Sequence, residues 1–129
     1  APPPPVVKPV VDNYSISQHP ICFNSGSTRI DHRFDPDLKT MADWLTRHPE
    51  VTITIEGHTD DRGTREFNLA VAQARAESMR RALAKLGVAT KRMRAVGYGT
   101  ERPLASGSTE AVRRKDRCAI AIANTLKKS

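Results

Sequence analysis

The sequence predicts an α+β two-layer sandwich, in which two helices cover a mixed four-stranded sheet. Two segments carry apolar residues at helical spacing on one side only, which is typical of helices that pack against a sheet. Four shorter segments are rich in β-branched or alternating apolar residues, and the order along the chain is β-α-β-α-β-β. Parallel strands joined by helical crossovers need a covering layer, so the helices predict one layer and the strands the other. A chain of 129 residues is long enough for one such domain with a short tail.

The start of the chain differs in composition from everything that follows. Residues 1–11 read APPPPVVKPVV, and consecutive prolines favour an extended polyproline II rod with no core-forming pattern. We therefore expect a Pro-rich linker over residues 1–12, a domain over 13–125 and a basic tail over 126–129. No signal peptide is visible, and no apolar run approaches the roughly 18 residues of a membrane span. Any targeting signal or anchor is therefore expected to lie N-terminal to this sequence.

One strand is expected before the first helix and one after it. Residues 16–24 favour a strand whose regular pairing begins near Ile21, because Pro20 cannot donate to a ladder. Residues 51–56 alternate apolar and polar side chains, which is typical of a half-buried strand. Both strands are thus expected to pack one face on the core.

The first helix has clear start and stop signals. Asp35 can cap it, Pro36 suits the first helical position, and His48 precedes a proline that ends it. Its apolar stripe consists of Leu38, Met41, Ala42 and Leu45. Trp44 lies beside that stripe, so we expect it to pack in the core.

The second helix is predicted over residues 64–86, with Gly87 as its C-terminal stop. Its apolar residues recur at steps of three and four: Leu69, Ala72, Ala76, Met79, Leu83 and Leu86. Two further strands are expected at residues 93–96 and 119–123. A polar connection over residues 97–116 separates them, and connections of that length are usually functional or mobile.

The net charge of +7 is concentrated in the second half of the chain. Residues 65–129 hold 15 Lys and Arg against 5 Asp and Glu, whereas residues 1–64 hold 6 against 9. A basic half is compatible with an anionic partner, such as nucleic acid, a membrane surface or a cell-wall polymer, and equally with a solvated basic helix face and tail. The six aromatic residues form no RNP-like pattern, so the sequence does not favour nucleic acid as a partner.

Residues 56–76, EGHTDDRGTREFNLAVAQARA, bring three kinds of polar group near one helix start. Asp60 lies in the turn after the second strand, while Asn68 and Arg75 share one face of the second helix. Helical side chains lean toward the N-terminus, so Arg75 points back toward the turn. An acid, an amide and a cation beside free backbone N–H groups could bind a zwitterion. The alternative is that Asp60 and Arg75 bond each other, or cap the helix and support the turn.

The same stretch gives little support for catalysis. His58, Asp60 and Asp61 are close in sequence, but no HExxH motif or second ligand cluster completes a metal site. The chain also has no G-x-S-x-G motif and no Walker loop. We therefore predict a binding protein and not an enzyme, with no metal and no cofactor.

The sequence GHTDDRGTREFN followed by LAVAQARA resembles the signature of OmpA-like C-terminal domains, and the turn is most similar to that of the peptidoglycan-associated lipoproteins. The resemblance continues downstream with Gly87-Val88, the motif GYGTERP at 97–103, and Asp116-Arg117 before the last strand. It implies an OmpA-like fold, in which the last strand lies between the first and second strands and runs antiparallel to both.

The resemblance also implies a ligand and the residues that bind it. OmpA-like domains bind peptidoglycan non-covalently, through the meso-diaminopimelate of the stem peptide. The implied ligand-binding residues are Asp60, Arg75, Asn68, Thr64, Thr59, Arg117 and Asn24. The chain departs from the family pattern where Cys118 replaces a second Arg, where Val71-Ala72 replace Leu-Ser, and where Gly26 replaces an Asp or Asn of the first loop. Asn24 or a neighbouring serine would have to substitute for that first-loop residue.

The implied strand order places Cys22 beside Cys118. This strand order, together with an envelope location, implies a disulfide between the two cysteines. The alternative is two reduced thiols in one sheet. The expected location is the periplasm, with attachment to the outer membrane through a segment N-terminal to this sequence.

The implied partners are peptidoglycan and the envelope or membrane proteins of a larger assembly, without nucleic acid. Two alternatives remain open. One is an OmpA-like fold whose altered first loop has lost the ligand, leaving a protein–protein module. The other is a basic nucleic-acid-binding domain, which would show a steep salt dependence on DNA.

Overall fold

The fold is taken from a computed structural model, which describes residues 19–60, 62–99 and 115–124. The linker expected at residues 1–12 and the basic tail expected at 126–129 lie outside the described residues. The same is true of both ends of the expected domain and of most of the long polar connection before the last strand.

The described chain contains two helices and four strands. In chain order they are β1 (Ile21–Cys22), α1 (Asp35–Arg47), β2 (Ile53–His58), α2 (Arg65–Lys85), β3 (Met93–Gly99) and β4 (Cys118–Ala123). Short 3-10 turns at His32–Phe34 and Thr90–Arg92 precede α1 and β3. None of the described helices is long and apolar enough to cross a membrane.

The four strands form one mixed sheet in the order β1-β4-β2-β3. β4 is antiparallel to both β1 and β2, whereas β2 and β3 run parallel. The β2–β4 ladder runs from Ile53 opposite Ala123 to Gly57 opposite Ala119. The last strand in the chain therefore occupies an interior position, and the predicted α+β fold with a mixed four-stranded sheet is confirmed.

Both helices pack their apolar stripes against the sheet. Residues from every layer are fully buried there, with 0% exposure for Ile21, Leu45, Ile55, Met79 and Leu83. Trp44 is also buried, and its ring centroid lies 4.2 Å from that of His48. Trp44 is therefore a packing residue, as its position beside the stripe predicted.

The start of α1 differs from the prediction by one residue. Asp35 is the first residue of the helix, and Phe34 takes the cap position without a side-chain hydrogen bond. The capping carboxylate is instead that of Asp31, which accepts from the backbone N–H of Arg33 at 2.9 Å and begins the preceding 3-10 turn. The prediction was wrong because this turn leads directly into α1 and moves the cap upstream.

Several other boundaries also differ from the predicted ones by a few residues. Val51 is buried, but its N–H donates to the carbonyl of His48 in a turn, so β2 begins later than predicted. β3 continues to Gly99, which shortens the predicted connection, and β4 begins at Cys118. Leu86, expected at the end of the apolar stripe, is 46% exposed. Alternating steps of three and four average slightly less than 3.6 residues, so the stripe drifts around the helix.

Helix α2 approaches the sheet closely at two glycines. A Cβ at Gly57 would lie 2.8 Å from the carbonyl carbon of Ala72, and one at Gly97 would lie 2.8 Å from the Cα of Gln73. Gly57 and Gly97 are paired across β2 and β3. The side-chain amide of Gln73 donates to the carbonyl of Ala95 at 3.1 Å and accepts from the N–H of Gly97 at 2.8 Å. This contact fixes the N-terminal half of α2 against the carboxyl end of β2.

Replacing Gly57 by alanine is expected to lower the free energy of unfolding by about 1–3 kcal/mol, because the added methyl group forces backbone to move in a packed interface. Urea unfolding followed by circular dichroism measures this change. Glu50→Ala, at an exposed position before β2, is the control and should unfold like the wild type. A wild-type free energy for Gly57→Ala would show that α2 can move away from the sheet without cost.

A disulfide joins the first and last strands. Cys22 and Cys118 face each other across β1 and β4 and are bonded through their sulfur atoms. β1 has only two residues, and its pairing is extended by the N–H of Phe23, which donates to the carbonyl of Arg117 at 2.8 Å. The bridge spans 96 residues, and closing so long a loop removes entropy from the unfolded chain. It therefore secures a very short edge strand to the interior of the sheet.

Candidate ligand-binding site

A polar pocket of about 180 Å³ lies where the loop after β1, the turn after β2 and the start of α2 meet. It is lined by Ser25, Gly26, Thr59, Asp60, Arg62, Gly63, Phe67, Asn68, Val71, Arg75 and Arg117. Five of the seven residues predicted to bind ligand are in this lining, and the exceptions are Asn24 and Thr64. The fold therefore brings together residues that lie up to 92 positions apart in the sequence, from Ser25 to Arg117.

Asp60 is held in place by two arginines. Its Oδ2 accepts from Arg62 Nη2 at 2.8 Å and from Arg117 Nη1 at 2.9 Å, and its Oδ1 accepts from the backbone N–H of Arg62 at 3.2 Å. Burial raises the pKa of this carboxyl, but the hydrogen bonds from Arg62 and Arg117 outweigh burial and lower the pKa from 3.8 to about 2. The ionised carboxylate thus stabilises the fold above about pH 4, and this contribution is lost as the pH falls toward 2.

The side chain of Arg75 extends from α2 and bonds both the loop after β1 and the end of β2. It is 1% exposed and donates from Nε to the carbonyl of Ser27 at 2.8 Å. Its Nη1 donates to the carbonyl of His58 at 3.1 Å, and its Nη2 to the carbonyl of Asn24 at 3.2 Å. The guanidinium carbon also lies 5.3 Å from the ring centroid of Phe23. Arg75 therefore ties the loop after β1 to the end of β2.

Arg75 remains a cation with hydrogen-bonding capacity to spare. Burial lowers the pKa of Arg75 from 12.5 to about 10, the Asp60 carboxylate opposes this shift, and Arg117 adds to it. A guanidinium has five N–H donors, and the three bonds to carbonyls leave two without an acceptor among the described residues. Among the described residues Asp60 accepts only from Arg62 and Arg117, so the alternative of a direct Asp60–Arg75 bond is wrong.

Two neutral side chains complete the polar lining. Thr59 is 3% exposed, and its Oγ1 has no hydrogen-bond partner within the part of the chain that the structure describes. Asn68 is 5% exposed, and its Oδ1 faces the turn at Gly63. A buried polar atom without a partner is costly, so a ligand that bonds to the Thr59 hydroxyl would remove that cost.

Thr64 and Asn24 support the site from outside the pocket. Thr64 is the N-cap of α2, and its Oγ1 accepts from the N–H of Phe67 at 3.1 Å. Asn24 has an exposed side chain and contributes its backbone carbonyl to Arg75. Their placement fixes the start of α2 and the first loop.

The sequence did not single out Arg62 or Phe67. Arg62 holds Asp60 and also donates from Nη2 to the hydroxyl of Ser25 at 3.3 Å, which links the turn to the first loop. Phe67 is 58% exposed at the pocket. The signal for Arg62 was its place two residues after Asp60, where Asp commonly bonds the backbone of a turn. Phe67 could have been noticed because its aromatic side chain lies outside the apolar stripe of α2.

Gly26, a departure from the family pattern, lines the pocket with a φ of +73°. A Cβ at this position would meet nothing within 4 Å. Positive φ favours glycine and is tolerated next best by Asn and Asp, which are the residues that the resemblance implies there. The pocket is therefore open at this point, where other members are expected to carry a polar side chain.

His58 does not line this pocket. It is 1% exposed, its Nε2 lies 3.3 Å from Glu56 Oε1, and its ring centroid lies 5.8 Å from that of Tyr98. Across residues 19–60, 62–99 and 115–124, no group of three His, Cys, Asp or Glu is placed to hold a metal ion.

The model of the OmpA family matches residues 22–117. The chain belongs to the OmpA family. This match confirms the resemblance inferred from the GHTDDRGTREFN motif, and it includes the loop after β1, the turn after β2 and Arg117.

Curated relatives of this OmpA-family chain include peptidoglycan-associated lipoproteins. That of Brucella melitensis is 44% identical over 104 residues, which is 81% of this chain and 62% of the relative. That of Agrobacterium fabrum is 46% identical over 85 residues, which is 66% of this chain and 48% of the relative. The chain thus spans between about half and two thirds of the length of these relatives.

Two solved structures share the fold. The crystal structure of the peptidoglycan-associated lipoprotein from Burkholderia pseudomallei matches with a TM-score of 0.79 at 40% identity, over 81% of this chain and 89% of that one. The C-terminal domain of Helicobacter pylori MotB matches with a TM-score of 0.77 at 24% identity, over 83% and 84% of the two chains. The second likeness concerns the fold alone.

Proposed function

We propose that the pocket binds the meso-diaminopimelate of a peptidoglycan stem peptide, and that the domain anchors an outer-membrane or envelope-complex protein to the cell wall by binding alone. The observation that carries this proposal is an ionised Asp60 carboxylate and a buried Arg75 cation in one small pocket. The diaminopimelate side chain ends in a carbon that bears one carboxylate and one ammonium group. That pair of charges is complementary to Asp60 and Arg75.

Each polar group of the pocket then has a role. The two spare N–H groups of Arg75 donate to the ligand carboxylate, and Asp60 accepts from the ligand ammonium. The hydroxyl of Thr59 gains the partner it lacks, and the amide of Asn68 fixes the orientation of the ligand. Arg117 positions Asp60, with which it forms a buried ion pair.

The site is organised before the ligand arrives. Arg62 and Arg117 already hold Asp60, and three backbone carbonyls already hold Arg75. A ligand that meets groups fixed in this way loses less free energy to ordering them. A pocket of this size can therefore support a stable contact with a single amino-acid side chain.

The names of the relatives support this proposal. Several are called peptidoglycan-associated lipoprotein, and one solved structure carries the same name. We propose that this domain lies in the periplasm, joined to the outer membrane by a segment N-terminal to the sequence.

The proposal is tested by comparing two kinds of peptidoglycan. A lysine-type stem peptide lacks the second carboxylate, so Arg75 would lose a charged acceptor at a cost of roughly 1–3 kcal/mol. We expect diaminopimelate-type sacculi to bind at least about tenfold more tightly than lysine-type sacculi. Co-sedimentation with purified sacculi measures this ratio, and free meso-diaminopimelate should raise the thermal midpoint of the protein.

The outcomes separate the alternatives. Equal sedimentation with both kinds would overturn the diaminopimelate assignment while leaving wall binding in place. No sedimentation with either, and no thermal shift, would favour a fold that has lost the ligand through its open first loop at Gly26. Gly26→Asn should then restore binding, because Asn adopts a positive φ more readily than most residues and its side chain has room at this position.

A further inference from the structure

A second concave surface lies at the other end of α2. It has a volume of about 800 Å³ and is bounded by the first turns of α1, the last turns of α2 and the segment 28–32. We call it the α1–α2 groove. It shares no lining residue with the ligand pocket, although Ser78 in the groove follows Arg75 in the pocket by only three residues, about 4.5 Å along the helix axis. The two sites are therefore separate.

The floor of the groove is apolar. Leu38 of α1 is 4% exposed, and Ile30 and Ala82 are partly buried beside it. Leu86, at the end of α2, is 46% exposed, and it is one of only two large hydrophobic residues exposed among those the structure describes. The floor is therefore a recessed apolar surface, and the side chain of Leu86 protrudes at its edge.

The rim of the groove is strongly basic. Four of its lining residues are exposed cations without a carboxylate partner in the described chain: Arg29, Lys39, Arg81 and Lys85. The one acidic lining residue is Asp35, whose Oδ2 lies 3.2 Å from Nδ1 of His32. By contrast, Arg80, the neighbour of Arg81 in sequence, pairs with Glu77 at 3.3 Å. Like charges are therefore gathered around an apolar floor with almost nothing to neutralise them.

We propose that the α1–α2 groove binds an acidic amphipathic segment of a partner protein. Apolar side chains of that segment would cover Leu38, Ile30 and Leu86, while its Asp and Glu residues would pair with the rim cations. A groove between two helices is a common acceptor for an amphipathic helix, and complementary charge supplies orientation and a fast encounter. A flat membrane surface suits the groove less well, because Leu38 is recessed and only Leu86 protrudes.

This inference goes beyond wall binding. The groove and the ligand pocket share no lining residue, so both can be occupied at once. The domain would then hold the cell wall at one end of α2 and a protein at the other.

Selection of a random 14-residue peptide library on the intact protein tests the proposal. Enriched peptides are expected to combine aliphatic residues with two or more acidic residues, and fluorescence anisotropy gives their Kd. The double variant Arg81→Glu, Lys85→Glu should raise the Kd more than tenfold, and Leu86→Ser should also raise it. The control Lys91→Glu, Arg94→Glu makes the same charge change at exposed cations outside the groove.

The proposal would be overturned if the selection enriched no peptides, or only peptides without acidic residues. It would also be overturned if the groove variants left the Kd unchanged, or if the control variant raised the Kd equally. Vesicles rich in phosphatidylglycerol provide the comparison with a membrane. Binding to those vesicles that is lost in the groove variants, without any peptide binding, would assign the groove to lipid instead. All of these variants should sediment with sacculi like the wild type, so the result is independent of the proposed wall binding.

Discussion

Asp60→Asn is expected to weaken binding to diaminopimelate-type sacculi by roughly thirtyfold or more. The substitution keeps the shape of the side chain but removes the charge that would attract the ligand ammonium. Removing one partner of a buried, hydrogen-bonded charge pair costs about 2 kcal/mol or more, which corresponds to that factor. Titration of purified sacculi with the labelled protein measures the loss.

The control for this variant is Asp43→Asn, which makes the same chemical change at an exposed position of α1. It should bind sacculi like the wild type. Asp60→Asn also removes the buried ion pair between Asp60 and Arg117, so we expect a lower thermal midpoint with a native circular dichroism spectrum. A folded Asp60→Asn protein that binds sacculi as tightly as the wild type would remove Asp60 from the site.

Arg75→Ala is expected to lose both sacculus binding and about 2–4 kcal/mol of stability. The side chain serves three carbonyls in two segments, and buried acceptors left without donors cost about 1–3 kcal/mol each, less where water reaches them. Equilibrium unfolding in urea gives the change in free energy. Binding is measured at a temperature where the variant is still folded.

Arg75→Lys separates the two roles of this residue. Lysine restores the positive charge but not the planar fork, so it cannot serve three carbonyls and a carboxylate together. We expect partial recovery of stability without recovery of binding. Arg47→Ala, at an exposed position of α1, is the control and should change neither property. Wall binding by a folded Arg75→Lys protein at wild-type affinity would contradict the proposed contact between Arg75 and the ligand carboxylate.

The sequence predicted local structure well because local signals are strong in this chain. Thr64 and Gly87 bracket α2 as their capping preferences require, and the alternating apolar residues of β2 face the core. The one-residue error at Asp35 arose because the preceding 3-10 turn has its own cap, Asp31. Two plausible caps four residues apart cannot be ranked from sequence without knowing how the chain enters the helix.

The candidate site could be predicted only in part. Asp60, Asn68 and Arg75 were placed together by turn and helix geometry, which is local. Arg117 reaches Asp60 because β4 lies between β1 and β2. Only the family resemblance implied that strand order. Arg75 donates to three backbone carbonyls because of the path of the first loop. The sequence contains no periodic signal for that path.

The disulfide between β1 and β4 also decides how the domain carries a pulling force. The proposed anchoring role requires a pull on the residues that precede Ile21, and under that pull a two-residue edge strand on its own would detach one hydrogen bond after another. The bridge passes the pull covalently from Cys22 to Cys118 in β4, which is flanked by strands on both sides. Arg117 is the next residue and bonds Asp60 directly. Under the proposed function, the path from Cys22 through Cys118 and Arg117 to Asp60 therefore links the pulled end of the domain to the ligand pocket.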